Sequence, residues 1–196
     1  MPEVAELAVA DPLTSPALDE GWIRAVLFDH AIDDWVDLGP DPIRRRHVGQ
    51  IYADHVGAAY AAWKWLCDRS GTDVDTPPAE RPAADGLALE VGVADWTGLM
   101  AALFTVGRAQ ALLFADLAAS GDEARRTFDR VSRDLAGHAA LGYLELRTGE
   151  FVDRAAAGGG VERMVAAARA LLDEAGLTAR FDAGIRPLLE SLGLAG

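Results

Sequence analysis

The sequence predicts an all-α fold, and three observations support this prediction. Hydrophobic residues make up 51% of the 196-residue chain. Alanine and leucine dominate that fraction and β-branched residues are sparse, a mixture that favours helix over strand. Apolar side chains recur at helical spacing over long segments, and cap residues, prolines and glycines mark where those segments begin and end. A chain of this length buries a core without disulfides, so we expect one helical domain over residues 1–196.

Two helices form the first predicted hairpin, over residues 14–68. Ser15-Pro16 places a capping residue before a proline at the first helical position, and that helix runs to Gly39-Pro40. Asp41-Pro42 repeats the same signal and opens the second helix, which ends near Asp68. The short turn between the two helices predicts that they pack as antiparallel neighbours.

A long connection separates this hairpin from the next one. Residues 69–86 are rich in proline, aspartate, threonine and glycine, which predicts an exposed crossover loop. The second hairpin spans residues 87–149. Its first helix ends at Ala119, and Ser120-Gly-Asp-Glu123 has the spacing of a capping box that starts the fourth helix. Two helical hairpins with a long crossover between helices two and three have the topology of a ferritin-like four-helix bundle.

Two shorter helices are expected after the bundle, over residues 160–193. Ala155–Gly160 contains only alanine and glycine, so we expect a flexible break there. Val161–Ala175 is amphipathic and is closed by Gly176. The last helix contains Pro187, which is expected to disturb it.

Charge and cysteine content exclude several classes of protein. The formal net charge of −13 repels a phosphate backbone, so we expect no nucleic-acid partner. The single cysteine, Cys67, cannot form an internal disulfide, and the acidic start of the chain lacks the basic region of a signal peptide; both features favour the cytoplasm. Trp96–Leu117 is long and apolar enough to cross a bilayer, but Arg108 and Gln110 within it favour a buried core helix and no membrane.

Acidic and imidazole side chains lie on helix faces that should be apolar. The pattern Asp134-x-x-x-His138 is the most specific, because residues i and i+4 project the same way and could bind one metal ion or share a proton. The second helix adds the pair Asp54-His55. The first helix adds Asp29, which lies on its apolar stripe, and His30, which lies beside that stripe. The candidate catalytic residues are Asp134, His138, Asp54 and His30; the candidate substrate contacts are Trp35, His55 and Asp29; and the candidate metal ligands, if a metal binds, are Asp134, His138 and Asp54.

Each candidate also has a structural interpretation. Asp134 and His138 could be a helix-stabilising pair, or a core histidine held by a carboxylate. Trp35 could serve only in core or interface packing. Arg44-Arg45-Arg46 at the start of the second helix is a candidate anion site, but three consecutive residues point around a helix, so a solvated, salt-bridged turn is the alternative.

Two segments carry several motifs in a fixed order. The first has a His-x-x-x-acid-Trp element, a Pro-acid turn and a helix with Asp-x-x-Gly, at positions His30, Asp34, Trp35, Pro40, Asp54 and Gly57. The second, from Leu112 to Gly149, is a hairpin in which an acidic residue and a histidine precede a Leu-Glu-x-x-x-Gly ending. In the order and spacing of these motifs the chain resembles the ferritin-like subunits of the multicomponent phenylacetyl-CoA oxygenase family.

The resemblance implies one of two kinds of subunit. The family's catalytic subunit binds two irons and activates O2 on a CoA thioester, whereas a related subunit without irons is a structural partner. Ferritin-like di-iron sites use Glu-x-x-His on two helices. That motif occurs nowhere in this sequence, and Val106 and Gly107 stand about where a carboxylate of the third helix is expected. Iron or manganese would therefore need an atypical ligand set.

Three hypotheses about function follow from the sequence. The one we favour is an enzyme that acts on a small organic substrate between the four helices, with either an atypical metal site or metal-free acid–base chemistry. The second is a non-catalytic structural or partner subunit of a multicomponent oxygenase. The third is a haem-oxygenase-like helical fold, which can also place Asp-x-x-x-His on a core helix. Whatever the function, we expect a homodimer or a heteromer with another helical subunit, because one small bundle cannot bury all the Trp and Leu side chains.

Overall fold

A computed structural model describes residues 35–70, 93–173 and 175–194, and these residues are almost entirely helical. No strand occurs in the described part of the chain, so the all-α prediction is confirmed. The elements are a 3₁₀ turn at Val36–Leu38 and five helices: α1 (Pro42–Ser70), α2 (Trp96–Ala119), α3 (Asp122–Thr148), α4 (Arg154–Asp173) and α5 (Thr178–Ser191).

The predicted ferritin-like topology depends on two segments that lie mostly outside the described residues. The first predicted helix falls almost entirely within residues 1–34, and most of the predicted crossover falls within residues 71–92. Helices two, three and four of the sequence prediction correspond to α1, α2 and α3. The crossover and the first helix stay predictions.

Local hydrogen bonds explain why α1 and α2 begin where they do. The Asp41 side chain accepts a hydrogen bond from the Arg44 backbone N–H at 2.8 Å, and Pro42 occupies the first helical position. The Asp95 side chain caps α2 in the same way, by accepting from the Gly98 backbone N–H at 2.7 Å. The cap that the sequence predicts for the second helix is therefore confirmed.

The most apolar helix, α2, lies at the centre of the described fold. It is the one described helix long and apolar enough to cross a membrane, and 78% of its most apolar window is buried inside the protein. It packs against α3 on one side and α4 on another. Burial within the fold accounts for its composition, as the sequence predicts.

A glycine on α3 sets the close approach of α2 and α3. A Cβ atom at Gly142 would lie 2.6 Å from the Met100 carbonyl oxygen and 2.7 Å from the Phe104 backbone nitrogen. Both contacts are with backbone, which cannot rotate away as a side chain can. The two helices can be this close only because residue 142 has no side chain.

The start of α3 differs from the prediction. The helix is capped at Gly121 without a side-chain hydrogen bond, and the Ser120 hydroxyl instead donates to the Leu117 carbonyl of the preceding helix at 2.7 Å. Ser120 therefore ends α2 and does not begin α3, so the capping-box prediction is wrong. The position of the turn and the end of α3 at Gly149 are as predicted.

The predicted break at Ala155–Gly160 is also wrong, because α4 begins at Arg154 and runs through it. The Asp153 carboxylate accepts hydrogen bonds from the backbone N–H groups of Ala155 and Ala156, at 2.9 and 3.2 Å. This cap fixes the first turn, and burial of Ala157 holds it against the core. The C-terminal helices thus start at residue 154 and not at 160.

The turn after α4 and the last helix follow the sequence more closely. Gly176 has a φ of 67°, the left-handed conformation that glycine adopts without strain, and its N–H donates to the Asp173 carbonyl at 3.0 Å. Pro187 lies inside α5, which continues to Ser191. The proline therefore does not end the helix.

Candidate functional site

An acidic and an imidazole side chain from separate helices meet between α1 and α3. The Asp54 Oδ2 atom lies 3.2 Å from the His138 Nε2 atom, although the two residues are 84 positions apart. The imidazole ring of His55 stacks on that of His138, with ring centroids 5.4 Å apart and an angle of 15° between the rings. Three of the predicted site residues are therefore neighbours.

This cluster is shielded from water to different degrees. His55 is 1% exposed, whereas the side chains of His138 and Asp54 are 11% and 27% exposed. The outer oxygen of Asp54, Oδ1, accepts a hydrogen bond from Gln50 Nε2 at 3.0 Å. Because both carboxylate oxygens have donors, Asp54 is held in a fixed orientation toward His138.

The contact with Asp54 determines which ring nitrogen of His138 is free. An ionised carboxylate only accepts hydrogen bonds, so a neutral His138 must carry its proton on Nε2. Nδ1 then has the unprotonated lone pair. That atom is buried and has no hydrogen-bond partner in the described part of the chain. The arrangement leaves a buried basic nitrogen oriented by a carboxylate.

Burial also keeps the His138 imidazole neutral. Desolvation is the largest influence and lowers the pKa of His138 below its ordinary value of 6.5. The hydrogen bond and charge of Asp54, and more weakly the charge of Asp134, raise the pKa but do not outweigh burial. At neutral pH His138 is therefore unprotonated on Nδ1 and able to accept a proton.

The lowered pKa predicts a pH-dependent stability. Between its folded-state pKa and 6.5, His138 binds a proton in the unfolded chain but not in the folded one, so the free energy of unfolding falls as the pH falls through that window. We expect wild-type protein to lose stability relative to His138→Gln as the pH is lowered from about 7 toward 5. Urea unfolding of both proteins at several pH values in that range measures this difference in stability. Parallel pH profiles of the two proteins would contradict the prediction.

Asp134 does not pair with His138 in the predicted way. Its Oδ2 atom pairs with Arg130 Nε at 3.4 Å, one turn away on the same helix, and its side chain is 41% exposed. The hydrogen-bond partner of His138 is Asp54, across the helix interface. The i, i+4 spacing puts Asp134 near enough to influence the pKa of His138, but the proton-sharing pair is formed with another helix.

A metal site built from Asp54, Asp134 and His138 does not fit this geometry. No group of three or more histidine, cysteine, aspartate or glutamate side chains suited to a metal ion occurs among the described residues. Catalytic metal sites use about three protein ligands. Here Asp54 and His138 are hydrogen-bonded to each other, and Asp134 forms an ion pair with Arg130. Asp29 and His30 lie outside the described residues.

The remaining predicted residues have structural environments. Trp35 is 6% exposed and belongs to the hydrophobic core. Arg44 donates to Asp41 at 2.6 Å and to Glu145 at 3.3 Å, and its guanidinium group lies 4.7 Å from the centre of the Phe151 ring. Arg44 is thus salt-bridged and ties α1 to α3, and Arg45 donates to the Gly39 carbonyl at 2.9 Å.

The chain matches no known family model, curated protein or solved structure. The resemblance to oxygenase subunits therefore depends on the motifs alone, and the assignment of function depends on the site itself.

One buried polar residue escaped the sequence prediction. Gln110 on α2 is 0% exposed, and neither its amide nitrogen nor its amide oxygen has a hydrogen-bond partner in the described structure. Gln110 lies one turn from Gly107 on α2. Gly107 faces Ala139 of α3, which follows His138 in the sequence. A glutamine in an otherwise apolar run was the available signal.

A groove opens beside the Asp54–His138 pair. Its volume is about 320 Å³, and it lies between α1 and α3. Small residues such as Gly57 and Ala61 line one wall, and charged residues including Arg126, Arg130 and Asp134 line the other. Asp54 lines this groove and is hydrogen-bonded to His138, so the groove reaches the carboxylate of the pair.

Proposed function

We propose that this chain is a metal-independent acid–base enzyme that moves a proton on a small organic substrate. The observation that supports it is the Asp54–His138 hydrogen bond, which leaves a buried and unpaired Nδ1 on a neutral imidazole. A positioned histidine that is neutral at the working pH is a typical general base. Asp54 acts as a positioning residue, because it fixes the tautomer and stabilises the imidazolium that forms.

The reaction best suited to these groups is proton abstraction next to a carbonyl group. Nδ1 of His138 takes the proton, the electron pair of the broken C–H bond moves into an enolate, and the proton returns to the same or a neighbouring carbon. Asp54 carries the countercharge of the imidazolium. No oxidant or other co-reactant is needed.

The ferritin-like architecture and the cytoplasmic location belong to the same proposal. The long antiparallel α2–α3 pair, with α1 packed on α3, is consistent with three helices of such a bundle, and the residues before α1 would supply the fourth. The single cysteine is consistent with a reducing compartment.

Exchange of substrate hydrogen for solvent deuterium tests the proposed chemistry without a known product. Purified protein would be incubated in D2O with a panel of small keto acids, esters and thioesters, before and after dialysis against EDTA, and the mass of each compound measured. We expect deuterium incorporation into at least one compound at the same rate in both samples. Exchange that disappears with EDTA and returns with iron or manganese would overturn the metal-independent mechanism.

A second candidate function is favoured by an exposed apolar surface on α1. Val56 and Tyr60, one turn apart, are 42% and 60% exposed. In the alternative, this surface binds a second copy or another helical subunit, and the Asp54–His138 pair only holds α1 on α3. Light scattering would show an oligomer that Tyr60→Glu dissociates. Absence of any exchange activity in such an oligomer would favour the structural subunit.

A further inference from the structure

Three arginines from three helices line a second groove on the other side of α3. The groove has a volume of about 450 Å³, within the range of small-molecule sites. Arg108 of α2, Arg133 of α3 and Arg180 of α5 line it, and no aspartate or glutamate is among the described residues that do so. This concentration of positive charge stands out in a chain with a net charge of −13.

The three guanidinium groups differ in their partners. Arg133 pairs with Asp129 at 2.8 Å, and Arg180 lies 3.7 Å from Asp116, in both cases with carboxylates outside the groove. Arg108 has no ion-pair or hydrogen-bond partner among the described side chains, although it is half-buried against Gly184. Because no described carboxylate engages Arg108, its guanidinium N–H groups are available to an anionic ligand.

The floor between the arginines is apolar. Most of it is formed by the apolar side chains of Ala111, Leu112, Ala115, Ala136, Ala139 and Phe181. Inorganic phosphate would contact only the rim of such a groove. An anion attached to an apolar body would use both surfaces, since the body buries carbon against the floor while the head group accepts from the guanidinium groups.

We propose that this groove binds an amphipathic organic anion, a carboxylate or phosphate attached to a compact aromatic or acyl group, with Arg108 as its principal contact. Arginine suits such a head group because its planar fork can donate two parallel hydrogen bonds. The site is separate from the Asp54–His138 pair and does not depend on the proposed reaction. It would serve as an effector site or as a second substrate site.

Isothermal titration of the full chain with benzoate tests the proposal, with benzamide and inorganic phosphate as comparison probes. Benzoate is expected to bind at least tenfold more tightly than uncharged benzamide and than phosphate, and more weakly as ionic strength rises. Arg108→Gln should weaken benzoate at least tenfold, and Arg108→Lys should weaken it less. Arg163→Gln, an exposed arginine of α4 outside the groove, is the matched control and should leave binding unchanged.

Several results would overturn the proposal. Benzoate that does not bind, or binds no better than benzamide, would show that charge is not recognised. Phosphate that binds as tightly as benzoate would show that the apolar floor contributes nothing. Equal benzoate affinity in Arg108→Gln and wild type would place any binding elsewhere. Circular dichroism of each variant confirms that the helices are intact before titration.

Discussion

Replacement of His138 by glutamine is expected to lower the rate of deuterium exchange by about 10²–10⁴-fold, the usual contribution of a general base. Glutamine keeps a polar side chain that can hydrogen-bond to Asp54, so the α1–α3 contact is preserved. It has no basic nitrogen, so proton abstraction is lost. The measurement is the initial rate of exchange into the best compound of the panel, with folding checked by urea unfolding.

Two further variants separate a catalytic role from a structural one. Asp134→Asn removes a nearby carboxylate that makes no hydrogen bond to His138 in the described structure, so its exchange rate should stay close to wild type. Asp54→Asn keeps the size of the side chain but removes the charge that orients His138, so its rate should fall between the other two. If His138→Gln retains the wild-type rate while folded, His138 is not the base.

Replacement of Gly142 by alanine is expected to lower the free energy of unfolding by about 3 kcal/mol, near the upper end for overpacking. The new methyl group would lie 2.6 and 2.7 Å from backbone atoms of α2, so the two central helices must move apart. That separation loosens the contacts of buried side chains along the interface. Alanine favours helix over glycine by about 1 kcal/mol, which offsets part of the loss.

Gly137→Ala provides the matched control for this effect. It lies on the same helix, is exposed, and has no atom within 4 Å of the added Cβ. Only the change in helix propensity remains, so Gly137→Ala should raise the free energy of unfolding by about 0.5–1 kcal/mol. Urea unfolding measures the free energy of unfolding of both variants and of the wild type. Equal stabilisation by the two substitutions would mean that α2 and α3 are not this close.

Local signals allowed much of the helical framework to be predicted. Asp41-Pro42 marks the start of α1 through a side-chain cap and a proline, and Gly149 marks the end of α3; both signals act within a few residues. The Ala155–Gly160 break failed because the low helix propensity of its three glycines was offset by three alanines, by the Asp153 cap and by burial of Ala157. The capping-box prediction failed because the Ser120 hydroxyl donates to the Leu117 carbonyl of α2 and accepts no hydrogen bond from the first turn of α3.

The candidate site was predictable as a set of residues but not as a set of contacts. Helical spacing placed Asp134 and His138 on one face. It could not show that Arg130 would engage Asp134, or that Asp54 would reach His138 from another helix. Such pairs depend on the axial register of α1 against α3, which packing fixes. The arginine groove was missed for the same reason, because its three members are far apart in the sequence.

Titration of the His138 ring nitrogens by NMR tests the central claim most directly. Long-range ¹H–¹⁵N correlation spectra of the labelled protein report both the tautomer and the pKa, and the spectrum of His138→Gln assigns the signals. The account predicts a proton on Nε2 at neutral pH and a pKa below 6.5. A proton on Nδ1, or a pKa above 6.5, would contradict the proposal that His138 is a buried neutral base.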